Sequence, residues 1–168
     1  VDHLPAEAIH EHAALLAHAD AEHKLRHKKL YLVLDMDETL IYSQRLEQGA
    51  VAKGTVIMVR DSPFDMVIRP GLHSFLQTAA AKFVLYLYTM GDSEYTRAVL
   101  DVIDPQRKLF TGGVCCWRQH ESRSHKTLSR CVCDKSMAII VDDSHDVWSS
   151  DLPNLCIVRR FMGNAADD

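Results

Sequence analysis

The sequence predicts a single α/β domain on a doubly wound parallel sheet, with a small β-hairpin inserted after the first strand and a helix before it. Two observations predict this class. Short, unbroken apolar runs, typical of strands buried on both faces, recur along the chain and alternate with helix-like stretches. The length of 168 residues suffices for one hydrophobic core but hardly for two.

The first predicted element is a helix between about Pro5 and Lys28. This stretch is rich in Ala, Glu, His and Leu and contains no Gly. Its histidines are interpreted as part of a solvated helix face and are assigned no chemistry. We therefore expect a helical extension over residues 1–28 and a globular domain over residues 29–168.

The central strand of the sheet is predicted at Leu30–Leu34, where the apolar run shows no alternation. Three later runs have the same character: Phe83–Tyr88, Ala138–Val141 and Leu155–Val158. Helix-like stretches lie between them: Leu72–Lys82, Ser93–Ile103 and Asp146–Ser150. Strands that alternate with helices favour a parallel sheet.

The segment between residues 55 and 68 has a different pattern. Two apolar runs, Thr55–Val59 and Phe64–Ile68, flank the turn-forming sequence Arg60-Asp61-Ser62-Pro63. This arrangement predicts a β-hairpin inserted after the first strand.

Charge and composition argue against several classes of function. The net charge is −4 and the pI is about 6.2, so general attraction to nucleic acid or to an anionic membrane is not expected. No apolar run approaches 18 residues, and the first residues lack signal-peptide character. The five cysteines are odd in number and irregularly spaced, which favours free thiols in a reducing, intracellular compartment. Cys131 and Cys133 form half of a zinc site at most, and buried thiols are the favoured interpretation.

Polar residues follow the predicted strands at the points where they end. Asp35-Met36-Asp37-Glu38-Thr39 follows the first strand, Thr89 the second and Asp142-Asp143 a later one, while Lys126 precedes that later strand. The carboxyl ends of parallel strands meet at one sheet edge, so these side chains are expected to converge. Clustered carboxylates need a neutralising cation, and an all-oxygen ligand set favours Mg²⁺.

Each of these features alone has a less specific explanation. An Asp-x-Asp after a strand also occurs in sugar-nucleotide transferases, and a Thr at a strand end is commonly a helix N-cap. A single Lys is commonly a surface residue, and an acid pair before a helix can simply complement the helix dipole. The ordered combination is what favours a catalytic site.

This combination resembles the haloacid dehalogenase superfamily of phosphotransferases, whose Asp-x-Asp-x-Thr motif is matched by Asp35 to Thr39. Thr89, Lys126 and Asp142-Asp143 match its second, third and fourth motifs in order. Longer stretches resemble the TFIIF-associating type of RNA polymerase II carboxyl-terminal-domain phosphatases, over about Lys29 to Phe161. The stretches that carry this likeness are Lys29–Ile41, Arg69-Pro70-Gly71, Tyr88–Gly91, Ile103–Pro105, Lys108–Phe110, Cys133–Met137 and Val141–Trp148.

The resemblance implies a haloacid dehalogenase-like, Rossmann-like fold over residues 29–168 and a role for each matched residue. Asp35 is expected to be the nucleophile, Asp37 the general acid and base, and Thr89 and Lys126 catalytic partners of the phosphoryl group. Asp143 is expected to be the direct carboxylate ligand of Mg²⁺, and Asp142 a partner that contacts the ion through water. Asp35 and the backbone carbonyl of Asp37 are the further expected ligands. The residues assigned to substrate binding are Thr39, through support of the Asp35 loop, Gly91, through its turn, and Arg118.

Spacing bears on the size of the substrate. Asp35 and Thr89 are separated by 53 residues, and Thr89 and Lys126 by 36, so neither interval holds a large cap domain. An open cleft favours a protein substrate, and the resemblance implies phosphoserine or phosphothreonine in the RNA polymerase II tail and a nuclear location. The alternatives are a catalytically silent, peptide-binding scaffold of the same fold, such as a mitochondrial import receptor, and a metal-dependent sugar-nucleotide transferase. The transferase leaves Lys126 and the Asp142-Asp143 pair unexplained.

Overall fold

The structure, a computed structural model, describes residues 6–26, 29–119 and 124–164. Positions 5, 27 and 28 of the predicted first helix lie outside these ranges. The helices are α1 (Ala6–Arg26), α2 (Leu72–Lys82) and α3 (Ser93–Ile103). The strands are β1 (Leu30–Leu34), β2 (Ile41–Arg45), β3 (Thr55–Val59), β4 (Ser62–Ile68), β5 (Phe83–Tyr88), β6 (Gly113–Cys115), β7 (Ala138–Asp142) and β8 (Leu155–Ile157).

The main sheet has five parallel strands in the order β6-β5-β1-β7-β8. Strand β1 is central, and its apolar residues are buried from Tyr31 to Leu34. Its register pairs Leu34 with Leu87 of β5 and with Val141 of β7. The residues that follow these three strands therefore emerge side by side at one edge, as the sequence predicts.

The two faces of the main sheet contribute to separate cores because successive residues of a strand point to opposite faces. On one face, Leu32 and Leu34 belong to a cluster that includes buried residues of α2 and α3. On the other face, Tyr31 and Val33 pack in a cluster with cysteines and Trp148 from the segments after β5 and β7. Helix α1 lies against this second side, where Asp20 Oδ2 accepts a hydrogen bond of 2.7 Å from the Tyr31 hydroxyl.

A second, antiparallel sheet has three strands in the order β2-β4-β3. The predicted hairpin is confirmed as β3 and β4, and its turn is shorter than expected because β4 begins at Ser62, directly after Arg60 and Asp61. Arg60 adopts a φ of 53°, the left-handed conformation that tight hairpin turns require. Strand β2 was not predicted, since the mixed sequence Ile41-Tyr42-Ser43-Gln44-Arg45 has no continuous apolar pattern.

Two other details differ from the sequence-based expectation. The edge strand β6 has only three residues, of which the first is Gly113, so its apolar signal is too short to detect. The helix-like stretch after β7 is a single 3₁₀ turn, Asp146–Trp148. Among the described residues, no helix has both the length and the apolar character needed to cross a bilayer.

Candidate active site

The polar residues at the carboxyl edge of the main sheet surround one cleft of about 240 Å³. Asp35 follows β1, Asp142 ends β7, and Met90 lies just beyond β5. The cleft is lined by Asp35, Asp37, Glu38, Met90, Lys126, Asp142, Asp143, Ser144, Val147 and Arg160. Five of these side chains are acidic and two are basic, so the cleft is a strongly anionic site that favours a cation.

Lys126 lies between two buried carboxylates. Its Nζ is 2.5 Å from Asp35 Oδ1 and 2.7 Å from Asp142 Oδ2, and all three side chains are almost inaccessible to solvent. Burial raises the pKa of the Asp35 carboxyl, and the neighbouring Lys126 ammonium opposes this shift. Burial likewise disfavours the charged lysine, but Asp35 and Asp142 raise the pKa of Lys126 above its ordinary value. The ammonium therefore stays charged and holds Asp35 in a fixed orientation.

Aromatic side chains enclose this lysine. Its Nζ is 5.7 Å from the ring centroid of Trp148 and 5.8 Å from that of Tyr88, distances at which a cation is attracted to a π face. Trp148 Nε1 also donates a hydrogen bond of 2.7 Å to Asp142 Oδ2. The backbone N–H of Lys126 donates to Val147 O over 2.7 Å, which ties the lysine loop to the turn after β7. These contacts restrict the ammonium to the gap between the two acids.

Asp37 faces a different set of partners. Its Oδ2 accepts a hydrogen bond of 3.1 Å from Thr89 Oγ1, and its Oδ1 accepts one from the Tyr95 hydroxyl. Tyr95 lies in the first turn of α3, which Asp92 caps by accepting hydrogen bonds from the N–H groups of Glu94 and Tyr95. Burial raises the pKa of Asp37, while the hydrogen bonds from Tyr95 and Thr89 lower it. The net shift of the pKa is upward, so Asp37 keeps its proton to a higher pH than an ordinary aspartate does.

Asp143 and Thr39 complete the acidic side of the cleft. Thr39 Oγ1 lies 3.5 Å from Asp143 Oδ1, and Asp143 Oδ2 forms an ion pair of 2.7 Å with Arg160 Nε. Carboxylate oxygens of Asp35, Asp142 and Asp143 all lie within 4.8 Å of one another. Three converging carboxylates are the hard oxygen ligands that Mg²⁺ prefers, so the residues present fit this ion.

The residues assigned to substrate binding lie at different distances from this centre. Thr39 is buried, and its Oγ1 contacts Asp143. Gly91 donates its N–H to Thr89 Oγ1 over 2.9 Å and lines a neighbouring pocket rather than the acidic cleft. Arg118 is exposed on the segment after β6 and does not line the cleft.

Two residues of the site were not singled out from the sequence. Tyr95 was missed because a tyrosine three residues after a helix cap has many possible roles, although its place in the first turn of α3 directs it toward the sheet edge. Arg160 was missed because it lies three residues beyond β8, the edge strand. The rule that strand ends carry functional residues could have identified it, had it been applied to this last strand.

With this geometry established, comparisons with known proteins identify the class. A solved structure of the fission yeast RNA polymerase II CTD phosphatase Fcp1, bound to beryllium fluoride, superposes with a TM-score of 0.74 at 30% identity. This match covers 87% of the present chain and 45% of the Fcp1 chain, and it confirms the haloacid dehalogenase-like fold. The profile of the NLI interacting factor-like phosphatases matches residues 30–168, so the chain belongs to this family.

Curated relatives agree with this assignment. The chain is 30% identical over 164 residues to RNA polymerase II C-terminal domain phosphatase-like 4 of Arabidopsis thaliana, with 87% of the chain and 37% of that protein covered. It is 32% identical over 171 residues to an RNA polymerase II C-terminal domain phosphatase of Schizosaccharomyces pombe, with coverage of 90% and 24%. The chain thus spans between 24% and 37% of the length of these relatives.

Proposed function

We propose that the protein is a Mg²⁺-dependent phosphoserine and phosphothreonine phosphatase in which Asp35 is the nucleophile. The observation that carries this proposal is the contact of Lys126 with both Asp35 and Asp142, beside Asp143, at the carboxyl edge of the sheet. Membership of a phosphatase family supports the same reaction. On this proposal, residues 29–168 form the catalytic domain and residues 1–28 a helical extension.

In the first step, a carboxylate oxygen of Asp35 attacks phosphorus and the bond from phosphorus to the serine or threonine oxygen breaks. Asp37, whose pKa burial raises, donates its proton to the departing alkoxide. Lys126 stabilises the negative charge on the phosphoryl oxygens, and Thr89 donates a hydrogen bond to them. The product of this step is an acyl phosphate on Asp35.

In the second step, Asp37 is a carboxylate and takes a proton from a water molecule that attacks phosphorus. The bond between phosphorus and Asp35 breaks, which releases inorganic phosphate and restores the nucleophile. Tyr95 holds the Asp37 side chain in one orientation through both steps. The Thr89 hydroxyl, which donates to Asp37 before substrate binds, turns its single hydrogen to the phosphoryl group. The same carboxyl thus acts first as an acid and then as a base, as microscopic reversibility requires.

The metal ion would be held by Asp35, Asp142, Asp143 and the backbone carbonyl of Asp37. When bound, Mg²⁺ supplies positive charge that neutralises phosphoryl oxygens and the clustered acids. Asp142 also accepts a hydrogen bond of 2.8 Å from the N–H of Ser144 and another from Trp148. Two groups that are not metal ligands therefore fix the position of this carboxylate.

The substrate we propose is a phosphorylated, extended protein segment, such as the carboxyl-terminal domain of RNA polymerase II. The curated relatives are named for that substrate. The short intervals between the motifs leave the acidic cleft open, as a protein substrate requires. A polymerase substrate would place the protein in the nucleus.

The decisive experiment measures hydrolysis of an aryl phosphate with and without Mg²⁺, for the wild type and for Asp35→Asn. Activity is expected in the wild type with Mg²⁺ and is expected to be lost in Asp35→Asn. Asp61→Asn, an exposed acid of the hairpin turn, is the matched control and should keep full activity. Hydrolysis that survives in Asp35→Asn would disprove the nucleophile.

A second measurement separates an enzyme from a silent scaffold. Phosphopeptides from the polymerase tail should be hydrolysed by the wild type and bound without turnover by Asp35→Asn. The unphosphorylated forms of the same peptides are the control for binding. A wild type that binds these peptides but hydrolyses neither them nor the aryl phosphate would favour the scaffold.

A further inference from the structure

Arg160 extends over the mouth of the acidic cleft. Its Nε lies 2.7 Å from Asp143 Oδ2 and 3.0 Å from Glu38 Oε2, and its side chain is 57% exposed. It lines the same cleft as Asp35 and Lys126. The guanidinium therefore contacts the acids of the cleft on one side and solvent on the other, the side from which a substrate enters.

The backbone on both sides of Arg160 is anchored to the loop that follows the nucleophile. The N–H of Phe161 donates a hydrogen bond of 2.7 Å to Glu38 O. Arg69 Nη1 donates to Thr39 O over 3.0 Å and to Arg159 O over 3.2 Å, and its guanidinium lies 5.6 Å from the ring centroid of Phe161. Phe161 is fully buried. The position of Arg160 is thus fixed by the fold and does not depend on the conformation of its side chain alone.

The two cations of the cleft have different freedom to act. Lys126 is 3% exposed and lies between Asp35 and Asp142, so it reaches only groups that enter the cleft deeply. Arg160 makes its shortest contact with each acid through Nε, and a guanidinium carries four more N–H donors on its terminal nitrogens. A planar fork of donors matches the oxygens of a phosphoryl group.

We propose that Arg160 is a substrate-binding residue of this site, whose guanidinium binds phosphoryl oxygens at the mouth of the cleft. Its ion pairs with Asp143 and Glu38 hold it there before substrate arrives. Asp143 would be shared between this ion pair and a divalent cation, and the terminal nitrogens of Arg160 would supply the donors for phosphate. This inference rests on the proposed function, because it adds a contact to the same site.

The test compares Arg160→Gln with Arg159→Gln, which removes the same charge from a neighbouring exposed arginine that does not line the cleft. Calorimetry at saturating Mg²⁺ measures the affinity for inorganic phosphate, which needs no turnover. Arg160→Gln should weaken phosphate binding about 10- to 100-fold, the range of one or two charged hydrogen bonds, and Arg159→Gln should leave it unchanged. Arg160→Lys keeps the charge without the planar fork, so a smaller loss is expected.

Steady-state kinetics provides the second measurement. The KM for an aryl phosphate should rise with the loss of phosphate affinity, while kcat falls less. Equal phosphate affinity in the wild type, Arg160→Gln and Arg160→Lys would overturn the inference. So would tighter Mg²⁺ binding by Arg160→Gln with unchanged phosphate affinity, since Arg160 would then only neutralise the acids. A wild type that binds phosphate through Arg160 but hydrolyses no ester would contradict the proposed function and leave this inference standing.

Discussion

Lys126 and Lys135 form ion pairs of equal length with buried aspartates, yet their surroundings differ. Lys126 Nζ lies 2.7 Å from Asp142 Oδ2, and Lys135 Nζ lies 2.7 Å from Asp151 Oδ1. The side chain of Lys126 is 3% exposed, whereas that of Lys135 is 49% exposed. Distance alone therefore does not reveal what an ion pair does, because burial and the number of charges that meet decide its role.

The outer ion pair, Lys135–Asp151, supports the position of the inner one, Lys126–Asp142. Asp151 Oδ2 accepts a hydrogen bond of 3.0 Å from the N–H of Leu128, in the 3₁₀ turn that begins two residues after Lys126. Asp151 thus fixes the loop that carries Lys126, and Lys135 neutralises Asp151 from the solvent side. The comparison predicts that the inner lysine is essential for chemistry and the outer one mainly for stability.

The largest effect is expected for Lys126→Met. Without the ammonium, Asp35 and Asp142 are left as uncompensated buried anions, which should lower the free energy of unfolding by about 3–5 kcal/mol in metal-free buffer. Mg²⁺ should restore part of this loss because it neutralises the same acids. The phosphatase rate should fall at least about 100-fold, since one charge that stabilises the transition state is missing. Denaturant unfolding with and without Mg²⁺, together with initial rates, tests this; equal metal-free stability of variant and wild type would contradict it.

A smaller effect is expected for Asp151→Asn. This change removes the negative charge of the carboxylate that accepts hydrogen bonds from Lys135 and from the Leu128 N–H. The loss should lower the free energy of unfolding by about 1–3 kcal/mol. The phosphatase rate should fall by less than the loss in Lys126→Met, because the lysine loop loosens without losing its charge. Unchanged stability with a lost rate would show that Asp151 acts on the chemistry directly.

The pH dependence of this stabilisation follows from the pKa of Asp151. Although burial acts to raise it, Lys135, the Leu128 N–H and Thr127 hold the pKa of this carboxyl below its ordinary value. The unfolded chain therefore binds its proton at a higher pH, so the contribution is complete above the unfolded pKa of about 4 and is lost as pH falls through the folded value. The stability difference between wild type and Asp151→Asn should be constant from about pH 5 to 7 and shrink below about pH 4. A constant difference down to about pH 2 would contradict the shift.

The smallest effect is expected for Lys135→Met. An ion pair with a half-exposed lysine contributes about 0–1 kcal/mol, because solvent screens its charge. The phosphatase rate should remain that of the wild type. A loss of rate comparable to that of Lys126→Met would remove the distinction between the two lysines.

The centre of the site was predictable because it obeys a topological rule. Asp35 and Asp142 stand at the ends of apolar runs that favour buried parallel strands, and the carboxyl ends of such strands share one edge. The contact of Lys126 with both acids was not derivable from spacing, since the lysine lies in a loop without a periodic pattern. The order of the motifs placed it among the catalytic residues, and the structure shows which acids it meets.

The parts of the structure that were not predicted from the sequence have no local sequence pattern that indicates them. Strand β2 has one buried apolar residue, Ile41, and is held by pairing with β4, a contact that only the folded chain creates. Tyr95 reaches Asp37 because α3 begins at the sheet edge, and Arg160 reaches Asp143 because Phe161 is anchored to Glu38. Such positions depend on tertiary contacts, which residue patterns do not encode.

The central place of β1 has a consequence for how the protein folds. Its two neighbours, β5 and β7, lie far along the chain, so both pairings require closure of long loops before their contacts stabilise anything. Until β7 docks, β1 presents an open, apolar edge to other chains, and Asp35 remains apart from Asp142 and Asp143. We therefore expect slow refolding, in which the ability to bind a divalent cation appears only once β1 and β7 have paired.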